Sequence, residues 1–407
     1  MKKAYGFRIY PNKNQEVKLN KTLNTCRHLY NDALAERKRQ IELNKLRRDF
    51  QVFPWGSSIK PEWISYEDQA NNLSSNKDSF QKEVHSPVLQ NVLKRVHKSI
   101  ENFFNGFGFP RFKGKNRYNS FTYPQSGFEV EIEDRNEGKL TLSKIGKMRI
   151  ILHRDIEGRI KTCTIKKDVN QWYAIFTVEI KKTIEKVPVE KKIGVDVGLI
   201  NLLALNNGEM IEPPKFFRKS EKKLAKEQRK LSRKKLRSNS RKKQKIKVAK
   251  VHQKIRNQRK DFSHKTGRTL VNRFDFIGFE NLHIQNMMQN HHLAKSIADA
   301  GWYQLQILTA SKAEEAGKRV KLCIANGTSQ TCHVCGNIQK MTLKDRVFRC
   351  NQCGNIENRD TNSANEVLNR CTVGAMGIKA CKSGLSRDMM KQEAIQQVDG
   401  SSLVKFI

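Results

Sequence analysis

The feature that most constrains this chain is a pair of cysteine knuckles in its last quarter. Cys332 and Cys335 form the first C-x-x-C knuckle, and Cys350 and Cys353 form the second after fourteen intervening residues. Four thiolates grouped in pairs can enclose Zn²⁺ tetrahedrally, and this spacing is typical of a structural zinc ribbon. Disulfides are the weaker alternative, because nothing marks the chain as secreted.

A candidate active-site acid follows the second knuckle. Asp360 lies seven residues after Cys353, where the chain leaves the ribbon and enters a predicted helix. An acid at such a position usually caps the helix N-terminus. Two upstream acids favour a site instead: Asp196 lies within the apolar strand pattern 193–198, and Glu280 ends another apolar strand. A carboxylate in such a strand is costly to desolvate unless it is paired or bound to a metal ion.

The net charge indicates a polyanionic partner. It is +39, from 79 Lys and Arg against 40 Asp and Glu. Residues 215–260 alone hold 22 Lys and Arg against two acids, and their apolar spacing predicts two helices broken at 237–241. Because a merely solvated surface would mix both signs, we favour nucleic-acid contact by this basic hairpin. Its candidate residues are Lys234, Lys235, Lys242 and Lys243.

A second candidate nucleic-acid surface is residues 106–125, where cations alternate with aromatic side chains. Cations neutralise phosphates and rings stack on bases. The equally weighted alternative is that the aromatic residues belong to the core of the sheet that follows. Arg111, Lys113 and Tyr123 are the candidates from this segment.

The apolar spacing in the first half of the chain predicts an antiparallel sheet with inserted helices. Residues 1–10 alternate polar and apolar as a strand does, and residues 19–33 and 89–103 have apolar stripes at helical spacing. From 120 to 180, short alternating runs are separated by turn signals. This pattern is typical of a small antiparallel barrel or sandwich.

The second half predicts an α/β domain. The strand at 193–198 is followed by a hairpin with an Asn-Gly turn, and ribonuclease H-like nuclease domains begin in this order. Asp275 starts the strand that Glu280 ends, so it is the weaker candidate acid. A helix from about 293 to 317 and a strand at 320–325 lead into the ribbon.

The chain lacks the features of a secreted or membrane protein. Its first residues have no apolar signal-peptide run, and no stretch approaches eighteen apolar residues. We therefore expect a reducing, cytoplasmic location, with association to the nucleoid when DNA is bound, and no membrane partner.

The sequence resembles the TnpB family of transposon-encoded RNA-guided DNA endonucleases, which are similar to type V CRISPR effectors. The resemblance covers nearly the whole chain, and the motifs GVDVG, FENL, SQTCHVCG and NRDTNSA make it specific. It implies that Asp196, Glu280 and Asp360 are the catalytic carboxylates and that the four knuckle cysteines bind zinc. Asn358 stands where many relatives have an acid, and Ser363 where alanine is common.

The resemblance also implies a multidomain α+β architecture. Its parts are a wedge-like antiparallel β-barrel (1–10 and 110–182) with a helical recognition insertion (11–109), a ribonuclease H-like RuvC nuclease domain (183–325 and 358–370) that contains the basic hairpin, an inserted zinc ribbon (326–357) and a variable tail (371–407) that we expect to be disordered.

The implied chemistry is metal-dependent phosphodiester hydrolysis that leaves 5′-phosphate and 3′-hydroxyl ends. Two Mg²⁺ ions about 4 Å apart would be held by the three acids, and one Zn²⁺ would be structural. The implied partners are a guide RNA from the transposon end, bound by one protein chain, and double-stranded target DNA. The protein would read a short target-adjacent motif near Gln90, Lys94 and Tyr123.

Two other functions are weaker. A non-cleaving RNA-guided DNA-binding repressor would be marked by loss of one acid, and all three are present. A ribosome-associated zinc-ribbon protein would leave Asp196 and Glu280 unexplained.

Overall fold

The computed structural model describes residues 2–50, 61–115, 117–134, 136–181, 184–342 and 345–373. Nearly all of the expected disordered tail, 371–407, lies outside them. The chain divides into two compact units, Met1–Lys182 and Thr183–Ile407. This division falls where the sequence separates the wedge and helical parts from the nuclease part. The finer domain boundaries remain predictions.

The first unit combines an antiparallel sheet with helices. Its elements are β1 (Lys2–Tyr10), α1 (Lys13–Phe50), α2 (Tyr66–Ser75), α3 (Ser79–Lys82), α4 (Ser86–Phe104), β2 (Ser120–Tyr123), β3 (Phe128–Asp134), β4 (Glu137–Leu142), β5 (Gly146–Ile151), β6 (Arg159–Asp168) and β7 (Gln171–Glu179). The predicted opening strand and the two long amphipathic helices are confirmed.

The sheet of this unit is antiparallel, as predicted, but it is open, so the predicted β-barrel is not closed. Its seven strands follow the order β2-β6-β7-β1-β5-β4-β3, and the edge strands β2 and β3 are joined by only residues 124–127. Five Cα steps span at most roughly 18 Å, whereas seven flat strands would be about 29 Å wide. The sheet therefore curls strongly. Pro124, directly after β2, has no amide hydrogen to donate across the remaining gap.

One hydrophobic core joins the sheet and the helices of the first unit. Along β1, buried side chains alternate with exposed ones, as the period of a strand requires. The apolar stripes of α1 and α4 cover the buried face. Core residues include Tyr5, Phe7, Ile9, Leu19, Leu23, Leu89, Leu93 and Val96.

The second unit contains a five-stranded sheet, the basic hairpin and the ribbon. Its elements are β8 (Lys192–Val197), β9 (Leu203–Leu205), β10 (Met210–Ile211), α5 (Phe216–Ser232), α6 (Asn239–Arg273), β11 (Phe276–Asn281), α7 (Ile284–Met287), α8 (His291–Ala300), α9 (Trp302–Glu315), β12 (Arg319–Ile324), a 3₁₀ turn (Thr328–Gln330), β13 (Val347–Arg349), β14 (Ile356–Asn358) and α10 (Arg359–Val373). None of the helices in the described ranges could cross a membrane.

The second sheet combines antiparallel and parallel pairing. Its strand order is β10-β9-β8-β11-β12, in which β11 runs parallel to both β8 and β12. Helix α10 packs directly on β8 and β11, because glycines leave room for it. A Cβ at Gly194 would lie 2.0 Å from the carbonyl oxygen of Ala364, and one at Gly278 would lie 3.0 Å from Cys371 Sγ.

The helices of the second unit confirm one prediction and correct another. The basic hairpin is confirmed as α5 and α6, and the N-cap of α6 is Ser238, whose Oγ accepts from the amide of Arg241 at 3.1 Å. The single helix expected at about 293–317 is wrong. It is two helices, α8 and α9, because Gly301 has a φ of 66°, which interrupts the right-handed helix.

Candidate active site

Two of the candidate acids lie at the carboxyl ends of neighbouring parallel strands. In the register of β8 with β11, Val195 is opposite Phe279. Asp196 and Glu280 follow these residues, so the two acids lie at the same level. Every residue of β11 from Phe276 to Glu280 is buried, and Glu280 is only 5% exposed. The sheet therefore places both carboxylates at one edge, where Asp196 is half-buried and Glu280 is buried.

Helix α10 brings the third acid. Asp360 is the second residue of α10, and its backbone amide donates to Asn358 Oδ1 at 2.9 Å. Asn358 thus takes the capping role, and the N-cap alternative for Asp360 is wrong. The Asp360 side chain accepts a hydrogen bond from Asn201 Nδ2 at 3.3 Å, and Arg359 lies at 3.3 Å from it.

Glu280 and Asp360 are close enough to Asp196 to affect its pKa. Burial raises the pKa of Asp196 to about 8, and the negative charges of Glu280 and Asp360 contribute to this shift. Burial also raises the pKa of Glu280, although the Thr328 hydroxyl and the charge of Arg370 oppose that shift. The site therefore opposes full ionisation and favours a bound cation.

Neutral side chains that were not predicted as site residues hold the acids. Ser363 Oγ donates to Asp196 Oδ1 at 3.3 Å, and Thr328 Oγ1 donates to Glu280 Oε1. Asn201 holds Asp360 in the same way. The local sequence gives no signal for Thr328, which is 48 residues from Glu280. Asn201 and Ser363 are recognisable only by their closeness to the GVDVG and NRDTNSA motifs.

The zinc ribbon has the geometry of a metal site. The Sγ atoms of Cys332, Cys335, Cys350 and Cys353 all lie within 4.8 Å of one another, and the four thiols are free. Two sulfur–sulfur distances are 3.7 and 3.5 Å. A tetrahedron with zinc–sulfur distances of about 2.3 Å has edges of about 3.8 Å. The four thiols therefore fit one zinc ion, as the spacing predicts.

The two knuckles repeat the same backbone turn. Gly336 donates its amide to Cys332 O at 2.9 Å, and Gly354 donates to Cys350 O at 3.1 Å. Both glycines have left-handed φ angles, 76° and 73°. In the part of the chain that the structure describes, these cysteines are the one group of three or more Cys, His, Asp or Glu side chains placed for a single metal ion.

The candidate nucleic-acid residues of the first unit differ in accessibility. Gln90 and Lys94 are exposed on α4, and Lys94 Nζ lies 5.4 Å from the centre of the Tyr66 ring. Arg111 is exposed. The backbone of Lys113 is bonded to the side chain of Asn31 at 2.8 and 3.0 Å.

Tyr123 belongs to the core instead. It is 1% exposed, and its hydroxyl donates to Ser143 O at 3.0 Å. Its ring stacks on His85. The alternative that the aromatic residues of this segment are core residues therefore holds for Tyr123, which offers no surface to a base.

In the basic hairpin, three of the four candidate lysines are exposed and one is half-buried. Lys235, Lys242 and Lys243 are the exposed ones. Lys234 Nζ donates to Ser240 Oγ at 2.6 Å, and Lys242 Nζ donates to Asn239 Oδ1 at 3.1 Å. Both of these partners are neutral, so they leave the positive charges of the two lysines uncompensated.

Three family models match the chain. Residues 175–291 match a model described as "Probable transposase", and residues 302–367 match "Cas12f1-like, TNB domain". Residues 1–45 match "Helix-turn-helix domain". Over that range the structure has β1 followed by the single continuous helix α1.

Relatives match over nearly the full length. The chain is 30% identical to "Putative RNA-guided DNA endonuclease InsQ" of Escherichia coli (strain K12), over 98% of this chain and 99% of that protein. It is 32% identical to "Putative RNA-guided DNA endonuclease" of Streptomyces pristinaespiralis, over 95% and 92%. The fold resembles that in a Cas12f1-sgRNA-target DNA complex, with a TM-score of 0.59, 13% identity, and 91% and 99% coverage. This chain therefore belongs to the TnpB family, in which both of these relatives are named for RNA-guided DNA cleavage.

Proposed function

We propose that this protein is an RNA-guided DNA endonuclease that hydrolyses phosphodiester bonds at the site of Asp196, Glu280 and Asp360. The convergence of the three carboxylates from β8, β11 and α10 carries this proposal. A hairpin followed by parallel strands, in the order β10-β9-β8-β11-β12, supports a ribonuclease H-like RuvC assignment. The names of the full-length relatives support the activity.

The acid site fits divalent cations. Carboxylate oxygens are the ligands that Mg²⁺ prefers, and burial together with the charges of Glu280 and Asp360 raises the pKa of Asp196, which a bound cation would counteract. Two Mg²⁺ ions would be held by Asp196, Glu280 and Asp360. They would stabilise the negative charge on the attacking and departing oxygens. Ser363, Thr328 and Asn201 orient the three carboxylates.

The ribbon has a different role. Four cysteines fill all four tetrahedral positions and leave none for water or substrate, so its zinc is structural.

The basic hairpin and the overall charge account for nucleic-acid binding. The protein binds a guide RNA from the transposon end, one chain for each guide, and base pairing selects the target duplex. Lys234, Lys235, Lys242 and Lys243 contact the RNA backbone, and Arg111 and Lys113 add further cations. Gln90 and Lys94, exposed on α4, read the target-adjacent motif.

A non-cleaving repressor is the other function considered, and it is not favoured. Repression needs only guided binding, so it gives no reason to bury two acids at one level of a sheet. Such burial costs stability unless a cation relieves it. The three acids are all present, and the charges of Glu280 and Asp360 help to raise the pKa of Asp196.

The test uses the complex purified with its own RNA. We would sequence that RNA and offer duplexes that carry the matching target beside a randomised flank, with Mg²⁺. Wild type should cut a subset that shares a short flanking motif, whereas Asp196→Ala should bind the same duplexes without cutting. Near wild-type cutting by Asp196→Ala would remove this acid from the mechanism. Guided binding without cutting by wild type would favour the repressor.

A second test concerns the basic hairpin. Replacing Lys234, Lys235, Lys242 and Lys243 by Gln should lower RNA affinity about 10-fold or more and reduce the slope of log K against log salt by up to about 3. The control replaces Lys139, Lys147 and Lys161, which pair with glutamates on the first sheet. The slope should change little in the control. An unchanged slope in the hairpin variant would contradict the assignment.

A further inference from the structure

A short segment that follows β12 and includes the first cysteine of the ribbon, Cys332, touches the acid site directly. It comprises residues 327–333 and includes the 3₁₀ turn Thr328–Gln330, of which Thr328 is buried. Thr328 Oγ1 donates to Glu280 Oε1, and these side chains belong to residues that are only 4% and 5% exposed. The same hydroxyl lies 3.1 Å from Ala325 O. It has one hydrogen to donate, and an ionised carboxylate is the stronger acceptor.

The same segment is also bonded to α10. Asn362 is fully buried, and its Nδ2 donates to Thr331 O at 2.8 Å. Its Oδ1 accepts from the backbone amide of His333 at 3.2 Å. These two backbone groups belong to the residues on either side of Cys332. The side-chain amide of Asn362 therefore holds the backbone on both sides of one zinc-ligand residue. Asn362 lies in the first turn of α10, two residues after Asp360.

Arg370 fixes the other side of the segment. Its Nη1 donates to Ile324 O at 3.1 Å and Asn326 O at 2.7 Å, and its Nη2 donates to Thr331 Oγ1 at 3.2 Å. The segment is therefore bonded to α10 at Thr331 and His333, and also just before its first residue, at Asn326. Its geometry depends on α10 and on the knuckle that contains Cys332.

We propose that segment 327–333 is a positioning element that couples the zinc knuckle to two of the three acids. It orients Glu280 through Thr328, and it orients Asp360 through Asn362. The inference rests on the proposed nuclease function and identifies the residues by which a zinc site without an open coordination position affects catalysis. Thr328 and Asn362 are positioning residues. Thr328 acts through the carboxylate of Glu280, and Asn362 acts through the first turn of α10, which carries Asp360.

The first test changes only the hydroxyl of Thr328. Thr328→Val keeps the shape and removes the donor, and Thr328→Ser keeps the donor. In the RNA-loaded complex, Val should slow cleavage about 10-fold and raise the Mg²⁺ concentration for half-maximal rate, since a hydrogen bond to a charged group is lost. Ser should restore both to within about 3-fold. Both variants should keep their zinc and bind RNA as wild type does.

The second test compares two asparagines of α10. Asn362→Ala should slow cleavage about 10-fold and speed amide hydrogen exchange in residues 359–365 of the Mg²⁺-free complex. The control is Asn365→Ala. Asn365 Nδ2 donates to Glu357 Oε1 at 3.2 Å, in β14, so its link to the segment is indirect, through Glu357 Oε2 at 3.3 Å from His333 Nδ1. Its replacement should leave exchange in the first turn of α10 and the cleavage rate nearly unchanged.

These outcomes separate the coupling from the nuclease function. Equal cleavage by Thr328→Val and Thr328→Ser would overturn the coupling, as would equal exchange in Asn362→Ala and Asn365→Ala. Loss of zinc from Thr328→Val would also overturn it, because the segment would then support the metal rather than the acids. If wild type cuts no DNA, the nuclease function fails. In that case, faster exchange in Asn362→Ala than in Asn365→Ala would still show that Asn362 orders the turn of α10 that carries Asp360.

Discussion

Carboxylates at the two ends of the parallel strands in the second unit have opposite environments and opposite pKa shifts. At the amino end, an oxygen of Asp275 lies 3.2 Å from Lys318 Nζ. The Asp275 carboxylate also accepts hydrogen bonds from the backbone amides of Lys191 and Glu190, at 3.0 and 3.3 Å. Chiefly through the hydrogen bond from Lys191, these contacts lower its pKa. The charge of Asp275 is matched within the protein, so it stabilises the fold.

At the carboxyl end, burial outweighs the charge compensation that Arg359 and Arg370 provide. Asp196 and Glu280 receive hydrogen bonds from the neutral hydroxyls of Ser363 and Thr328, and burial raises both pKa values. The comparison supports the proposal that an acid at a strand end belongs to a reaction site when its charge needs a cation from outside the protein. Position in the strand alone does not distinguish the two cases.

The largest expected effect comes from exchanging carboxylate for amide at the two ends of β11. Glu280→Gln should slow cleavage roughly 10³- to 10⁴-fold with little change in stability, because a metal ligand is lost. Asp275→Asn should cut within a few-fold of wild type but lose about 2 kcal/mol of stability, since Lys318 loses its partner. Cleavage assays and thermal unfolding measure both. If Glu280→Gln and Asp275→Asn slowed cleavage equally, the two ends of β11 would not differ in function as expected.

The two ends should also respond oppositely to pH in Mg²⁺-free buffer. The pKa of Asp196 is raised from 3.8 to about 8, so the folded state keeps a proton that the unfolded state has lost. Stability should therefore fall as pH rises from 5 to 8, by up to about 4 kcal/mol, and Asp196→Asn should remove most of this fall. The pKa of Asp275 is lowered, so its contribution should be lost as pH falls below about 4.

Thermal unfolding at several pH values measures this difference. Asp275→Asn is the control, because it should leave the change between pH 5 and 8 intact. A wild-type stability that is flat from pH 5 to 8 would mean that the charge at the carboxyl end is compensated without a cation.

Removing the structural zinc should affect the carboxyl end more than the amino end. Cys350→Ser should lose zinc and slow cleavage roughly 100-fold, because segment 327–333 and the start of α10 lose their order. The first unit should remain folded, and the complex should still hold RNA. Metal analysis should find about one zinc per chain in wild type and in the control Cys163→Ala. Normal cutting by zinc-free protein would disprove this dependence.

The smallest effect is expected at Ser363. Ser363→Ala removes one hydrogen bond of 3.3 Å to Asp196. Since a bond of this length to a carboxylate is worth about 1 kcal/mol or less, cleavage should slow about 2- to 5-fold. Single-turnover rates at saturating Mg²⁺ measure this. A loss above about 50-fold would show that Ser363 does more than orient Asp196.

Much of the site could be predicted because its signals are local. The knuckle spacing of Cys332 and Cys350 predicts the thiol cluster, and apolar strands that end in acids predict Asp196 and Glu280. Thr328 and Asn201 carry no comparable signal, because each is an ordinary polar residue in a loop. Tyr123 also shows the limit, since the alternation of cations with rings does not reveal which ring is buried.

The sequence by itself determined the elements and the chemistry of this protein. Period-two and helical apolar patterns, paired cysteines and a run of lysines act over a few residues, so they specify strands, helices, a ribbon and a cationic hairpin. Only the tertiary structure decided that the first sheet stays open and that α10 lies on Gly194 and Gly278. It also decided which polar residues hold the three acids. These outcomes depend on strand register and on packing between residues far apart in the chain, which no local pattern encodes.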